Sequence, residues 1–259
     1  IIKMKIIATI ECRLSSKRLP SKLILPLGNE TVIEFLIKRL KKIRLIDGIV
    51  LATTKKKIDD ELVKIAKKNG IKFFRGSEKN VLERVYNAAK KFKADALVQV
   101  SGDSPLTDIK LITKWIKIFK KKKIDVVSEL WGYFPAGITA PIIKTDALKK
   151  SLQKTQNKSD LEHVTKFIFS NPNLFKIFLD KPSKKETYPK LNLCIDEKSD
   201  YVFVKYIIQK NIKKKLNCIS LIDYIKKNKN LLKINYKVNR KSAKYHKIFF
   251  DKMKNETRN

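Results

Sequence analysis

Short apolar, β-branched runs alternate with longer amphipathic ones along the first hundred residues, and that rhythm admits few folds. Lys5–Glu11 (KIIATIE) reads as a buried strand, followed by a polar, helix-poor loop through Pro26. Over Thr31–Ile43 the residues Ile33, Leu36, Ile37 and Leu40 share one helical face, with Lys and Arg opposite. A strand at Gly48–Thr53 and a helix at Ile58–Lys68, closed by Asn69-Gly70, come next. A short strand at Ile71–Phe74, a helix at Val81–Phe92 and a strand at Ala94–Val100 complete four β–α alternations. The expectation is an α/β fold: a mostly parallel sheet, covered on both faces and joined by right-handed crossovers.

The second half is less regular. Helices are expected at Ile109–Phe119, Thr145–Gln153, Ser159–Ser170, Asp200–Lys210 and Leu221–Lys227, and strands at Asp125–Glu129, Phe175–Leu179 and Lys190–Ile195. Gly132–Pro141, punctuated by Gly and Pro, interrupts the pattern, and fraying is expected beyond Phe250. Without an internal repeat or a long Gly/Ser linker, one domain is the better reading.

Charge raises a different expectation. Of 259 residues, 60 are Lys or Arg and 25 Asp or Glu, a net charge of +35, which points first to nucleic acid or an anionic membrane. However, only eight of these cations are Arg, the residue favoured for base readout, and the other 52 are Lys spread over nearly every segment. With abundant Ile and Asn and only 7 Gly, this is the bias of adenine- and thymine-rich coding. A specific nucleic-acid partner is therefore not expected, and the Arg and Gly kept against that drift mark positions to examine. No apolar run approaches the roughly 18 residues of a membrane span. Cys12, Cys194 and Cys218 fit no metal spacing, and the opening Ile1–Lys5 is too short for a secretory signal, so a cytoplasmic protein with reduced thiols is expected.

Ligands of open α/β sheets bind at the carboxyl ends of the strands. After the first strand, Arg13-Leu14-Ser15-Ser16-Lys17-Arg18-Leu19-Pro20-Ser21-Lys22 places four cations and three hydroxyls within ten residues. Such a loop can wrap a polyphosphate, the cations neutralising charge while hydroxyls and amides donate hydrogen bonds. It carries neither Gly-x-x-x-x-Gly-Lys nor Gly-x-Gly-x-x-Gly, which disfavours P-loop ATPases and Rossmann dehydrogenases. At the end of the fourth strand, Ser101-Gly102-Asp103-Ser104-Pro105 offers a sharp turn at Gly102 and a carboxylate, Asp103, of the kind that holds magnesium against a nucleotide. An Asx-turn or a helix cap, supported by Pro105 and Asp108, is the plainer reading. Leu193-Cys194-Ile195-Asp196 ends a later apolar strand in another Asp, with Asp200 four residues on.

Together these residues resemble the sugar-acid cytidylyltransferases, the CMP-Kdo and CMP-sialic acid synthetases, and most closely the spore coat polysaccharide (SpsF-type) branch. The resemblance covers most of the chain. It rests on Arg13-x-x-Ser16-x-Arg18-Leu19-Pro20-x-Lys22, Leu45–Thr54, Phe74–Glu78 with Val81–Arg84, Gly102–Leu106, Phe134–Gly137, Asp160–Thr165 and Asp196–Asp200, in that order. It implies a three-layer α/β/α fold like that of the nucleotide-diphospho-sugar transferases, Rossmann-like, and magnesium-dependent attack of a sugar-acid hydroxyl on the α-phosphorus of CTP, with loss of pyrophosphate. By this carry-over Arg13, Lys22, Asp103 and Asp196 are catalytic. Arg13, Ser16, Arg18, Lys22, Thr54, Arg75 and Gly102 bind the nucleotide, with Thr54 and Arg75 on the cytosine. Gly137, Glu162 and His163 bind the acceptor sugar, and Asp103 and Asp196 hold Mg2+. A homodimer follows from the family alone. Residues 1–228 form the catalytic domain, with about 132–182 on the acceptor and dimer side, and 229–259 a Lys-rich extension.

Taken simply as residues, Thr54 is a fair helix cap, Arg75 a salt-bridge partner and His163 an ordinary polar-face residue. The chain also departs from the family. Ser15 and Ser21 stand where Gly is frequent, Gln99 where a basic residue is common, and Thr139 and Pro141 where the spore coat branch carries Asp and Glu. The nucleotide side is kept, whereas the sugar does not transfer. Two other readings stay open: a nucleotidyltransferase acting on a sugar phosphate or other small phosphorylated acceptor, and a catalytically weakened basic relative that binds nucleic acid or membrane.

Overall fold

Strands apolar at nearly every position need cover on both faces, and the chain supplies it. The computed structural model describes residues 4–211 and 216–235. Strand β1 (Ile6–Glu11) leads through a 3-10 turn at Lys22–Ile24 into a small hairpin, β2 (Pro26–Leu27) and β3 (Glu30–Thr31), then into helix α1 (Val32–Leu40). The alternation continues through β4 (Gly48–Thr54), α2 (Asp60–Lys68), β5 (Lys72–Gly76), α3 (Val81–Lys91), β6 (Ala96–Ser101) and α4 (Ile109–Lys121). The second half adds β7 (Val126–Glu129), β8 (Ile142–Lys144), α5 (Thr145–Lys154), α6 (Lys158–Glu162), α7 (Lys166–Ser170), β9 (Ile177–Asp180), α8 (Lys198–Asn211) and α9 (Cys218–Lys227).

Seven strands form the central sheet in the order β5-β4-β1-β6-β8-β7-β9. All its pairings are parallel except those of β8, which runs antiparallel to both β6 and β7. The six others therefore end at one edge. Alternate residues of β1 divide the core: Ile6, Ala8 and Ile10 pack with α1, α2, α4, α8 and α9, while Ile7 packs with α3, α5 and α7. The result is the expected three-layer α/β/α sandwich.

Local sequence explains the ends of the helices. Thr31 and Glu34 cap the start of α1 reciprocally, each side chain accepting from the other's backbone N–H. Asp108 accepts from the Lys110 and Leu111 amides at 2.8 and 3.4 Å to cap α4, and from the Cys218 amide at 2.7 Å where α9 begins.

Three expectations need correction. The helix expected over Ser159–Ser170 is two short ones, because His163 is extended (φ −118°, ψ 101°) and this turns Val164 into the core. Lys190–Ile195 joins no sheet; its Leu191, Leu193 and Ile195 are fully buried, but their only ladder partner among the described residues is Ala136, bridged to Asn192. Three-residue β8 and the β2–β3 hairpin went unseen, being too short for any periodicity. Residues 132–182 contribute β8 and β9 to the central sheet. The fraying expected beyond Phe250 lies outside the described residues, as does most of the 229–259 extension.

Candidate active site

β1 and β6 are neighbours, with Glu11 opposite Ser101 at their carboxyl ends. The loop that leaves β1 is held by its own backbone and by a buried acid. Leu14 donates its N–H to Asp59 Oδ1 at 2.7 Å, and its carbonyl accepts from Ser21 at 3.0 Å. Ser21 adopts the left-handed conformation (φ 55°, ψ 20°) that tips the chain into the 3-10 turn and aims Lys22 inward. Family members often carry Gly at this position, and the positive φ gives the physical reason. Gly102 has a different one. The chain turns sharply there as expected, Ser104 donating its N–H to the Ser101 carbonyl at 3.1 Å, but without a positive φ. Instead an added Cβ would lie 3.0 Å from the Glu11 carbonyl and 3.1 Å from Cys12 Cβ, so glycine lets the loops after β1 and β6 touch.

Lys22 is the centre of the site. Its Nζ donates to Asp103 Oδ2 at 2.6 Å, to the Ile195 carbonyl at 2.6 Å and to Asp196 Oδ1 at 3.2 Å. Burial opposes the ammonium charge, but Asp103 and then Asp196 outweigh it and hold its pKa above the ordinary value. Ser101 Oγ donates to the second oxygen of Asp103 at 2.6 Å, and Arg18 reaches Asp196 at 2.8 Å. The Ile195 amide donates to the Asp103 carbonyl at 2.8 Å. The two carboxylates thus meet on one ammonium, Asp196 arriving not on a strand of the sheet but on an isolated segment stitched to the β6 loop. Asp200, fully buried in α8, accepts from the Asp196 and Glu197 amides at 3.2 and 3.1 Å and fixes that segment.

A second group of charges surrounds Glu78. Ser15 Oγ donates to it at 2.9 Å, Lys56 approaches to 2.7 Å and Arg13 to 3.8 Å; the Lys56 hydrogen bond is the largest influence holding its carboxyl below the usual range. Arg13 therefore faces the loop at 41% side-chain exposure without joining the Lys22 cluster, and Ser16 is half-buried in the same loop. Thr54 is fully buried and donates its hydroxyl to Asp59. Arg75 spends its fork on the β4–α2 turn, donating to the Thr54 carbonyl at 2.8 Å, to the Lys56 carbonyl at 2.7 Å and to Asp60. Both expected cytosine contacts thus sit at the ends of β4 and β5, committed to local bonds.

On the other side, Gly137 (φ +84°) lies so close to Leu193 and Cys194 that a Cβ would fall 2.9 Å from three of their atoms. Ala136 exchanges backbone bonds with Leu191 and Leu193 at 3.0 and 2.9 Å, drawing the Phe134–Gly137 segment beside the Asp196 arm. Glu129 ends β7 at the same sheet edge as Asp103, and burial pushes its carboxyl up to about 7, partly offset by a hydrogen bond from Thr139. Glu162 and His163 are exposed at the end of α6, on the α3 and α5 side of the sheet.

Several site residues escaped the sequence reading. Asp59, inside a Lys-rich helix start, gives no signal that it braces the loop 45 positions earlier. Glu11 ends β1 with Oε1 buried and unpartnered; burial lifts its carboxyl to about 7, against a hydrogen bond from Gln99 and the charge of Arg84. Gln99, noted as a departure, donates to Glu11 Oε2 at 3.1 Å.

Among the described residues no group of three or more His, Cys, Asp or Glu forms a metal cage. Two carboxylates and a carbonyl, all hard oxygen donors, do converge on one cation, Lys22. That donor set suits Mg2+, which takes one or two protein carboxylates and fills its remaining positions with water and substrate phosphate. These cations and carboxylates gather at the carboxyl edge of the sheet, where ligands of open α/β folds bind. Comparison with known proteins gives the class. Residues 7–238 match the cytidylyltransferase family. Protein MJ1063 of Methanocaldococcus jannaschii is 39% identical over 92% of this chain and 98% of its own length. The spore coat polysaccharide biosynthesis protein SpsF of Bacillus subtilis is 31% identical over 79% of this chain and 87% of its own. The solved structure of a cytidylyltransferase from Leptospira borgpetersenii has a TM-score of 0.85 at 31% identity, covering 92% of this chain and 100% of that one. The chain belongs to the cytidylyltransferase family.

Proposed function

We propose that the protein transfers CMP from CTP to the hydroxyl of a sugar acid, with release of pyrophosphate, for polysaccharide biosynthesis. The observation that carries this reading is Lys22, clasped between Asp103 and Asp196 beneath the Arg13–Ser21 loop. Arg13, Arg18 and Lys22 bind the triphosphate and stabilise charge building on the leaving pyrophosphate. Ser16 binds the phosphates, and Gly102, its amide held by the Glu11 carbonyl at 2.9 Å, lets the β1 and β6 loops close around the nucleotide. Asp103 and Asp196 hold Mg2+, which when bound neutralises phosphate charge and lowers the pKa of the attacking hydroxyl. Thr54 and Arg75 shape the cytosine pocket through the β4–α2 turn that they brace. Gly137 admits the acceptor beside the Asp196 arm, and Glu162 and His163 contribute from α6, with the homodimer contact on the same acceptor side.

The sugar-acid choice is supported by the ordered motifs from Arg13 to Asp200 that resemble those synthetases. Incubating the protein with Mg-CTP and a panel of 3-deoxy-2-ulosonic acids should release pyrophosphate and yield a CMP conjugate by mass. Asp103→Ala should lower the rate by about a thousandfold or more, the scale of losing a group that stabilises the transition state, while the fold survives. Pyrophosphate release that appears only with sugar phosphates would replace this acceptor with a phosphorylated one. No release with any acceptor would overturn the reading.

A further inference from the structure

The oxygens best placed to ligate a divalent cation are already taken. Asp103 Oδ2 and Asp196 Oδ1 both accept from Lys22 Nζ, whose third proton goes to the Ile195 carbonyl. The side chain is only 9% exposed, and its three donors have three acceptors. Arg18 adds a second cation on Asp196. Two carboxylates and two cations sum to zero, so the cluster presents no net negative charge to a metal in solution. A divalent ion on these oxygens would sit within a few ångströms of the ammonium, and repulsion between the two cations opposes joint occupancy. Expelling Lys22 alone leaves a buried cation with no partner, a costly outcome. A triphosphate changes this, because its oxygens offer the ammonium a charge-assisted bond a short swing away.

We propose that Lys22 is the resident counter-cation of the Asp103–Asp196 pair, that it bars free divalent metal from these oxygens, and that metal reaches them only with a nucleotide triphosphate that draws the lysine onto its phosphates. The inference rests on the reading above, in which the two aspartates face a metal–nucleotide complex. It adds that the protein without nucleotide is not a metalloprotein, and that metal and nucleotide bind with strong positive coupling, each raising the other's affinity by the same factor.

The test is a titration with Mn2+ alone, without CTP or acceptor, followed by the loss of the free-ion paramagnetic resonance signal. Wild-type protein should show no saturable binding at sub-millimolar metal. Lys22→Met should unmask the pair and bind Mn2+ about tenfold or more tightly than wild type. Its melting temperature should rise with Mn2+ while that of wild type does not, and a further Asp103→Asn change should abolish the gain. If Lys22→Met fails to fold, Lys22→Gln, neutral but still a donor to Asp103 and Ile195, carries the same comparison. Equal Mn2+ affinity in wild type and a folded Lys22 variant would overturn the proposal. Because the readout involves neither CTP nor sugar, its failure is separate from that of the proposed reaction: masking survives an inactive acceptor screen, and an active enzyme can still lack masking.

Discussion

Asp59 holds two parts of the site with one carboxylate. One oxygen accepts from Leu14 in the nucleotide loop and the other from Thr54 at the end of β4, with the side chain fully buried. Removing it orphans a buried amide and a buried hydroxyl, each worth about 1–3 kcal/mol when left unpaired. Asp59→Ala should therefore lower unfolding stability by about 2–4 kcal/mol in a denaturant melt and weaken nucleotide binding through the slackened loop. An unchanged midpoint would show that water replaces it. Glu129 makes the pH prediction. Its carboxyl ordinarily titrates at 4.5 and in the folded chain at about 7, so the folded state keeps the proton longer than the unfolded state does. Stability from this group is complete below pH 4.5 and lost as pH rises toward 7. Glu129→Gln should flatten that decline by about 1–2 kcal/mol, the half-buried side chain tempering the full linkage. At this scale the sequence was most legible where chemistry concentrates: Arg18, Lys22, Asp103 and Asp196 stood out by type and position, and they meet. Asp59 and Glu11 did not, because a bracing carboxylate looks like any other until the loop it holds is folded against it.

Among the elements, α4 and α9 share a cap. Both carboxylate oxygens of Asp108 are used, one on the first turn of α4 and the other on the Cys218 amide. Asp108→Ala should cost about 2–3 kcal/mol, more than a single-helix cap, with Asp108→Asn recovering part of it in thermal melts. A loss of well under 1 kcal/mol would mean that α9 docks without this bond. The helix cap read as the plainer role of Asp103 is filled instead by Asp108, while Asp103 turns to Lys22. Elements with three or more turns or a full apolar repeat could be read directly: α1 to α4 and β1, β4 and β6 follow from periodicity. What periodicity could not supply was the antiparallel β8, three residues long, or the break at His163, because each is set by partners distant in the chain. The same holds for Lys190–Ile195, whose alternation is that of a strand although its cover comes from core side chains rather than from neighbouring strands.

For the whole molecule, the net charge of +35 comes mostly from Lys spread over nearly every segment. Three acids, Glu78, Asp103 and Asp196, pair with Arg13, Arg18, Lys22 and Lys56 where function is proposed, while others pair with lysines and arginines across the rest of the fold. A cationic surface of this size repels a bare metal ion and attracts Mg-CTP, which is an anion overall. The association rate for Mg-CTP should fall about tenfold between about 50 and 500 mM salt, while the dissociation rate changes little. Stopped-flow binding at the two salt levels checks this, and a salt-independent association rate would remove the surface from the account.

Lys22 and its acceptors Ile195 and Asp196 lie 173 and 174 positions apart in the chain. A ribosome adds residues in order, so a nascent chain carries the loop after β1 long before the acidic arm that completes the cluster. Until Asp196 has emerged and α8 has folded around Asp200, Lys22 has only Asp103 for a charged partner. If this cluster carries the proposed reaction, competence is acquired at one late moment of synthesis, and a prematurely terminated chain is inert rather than partly active.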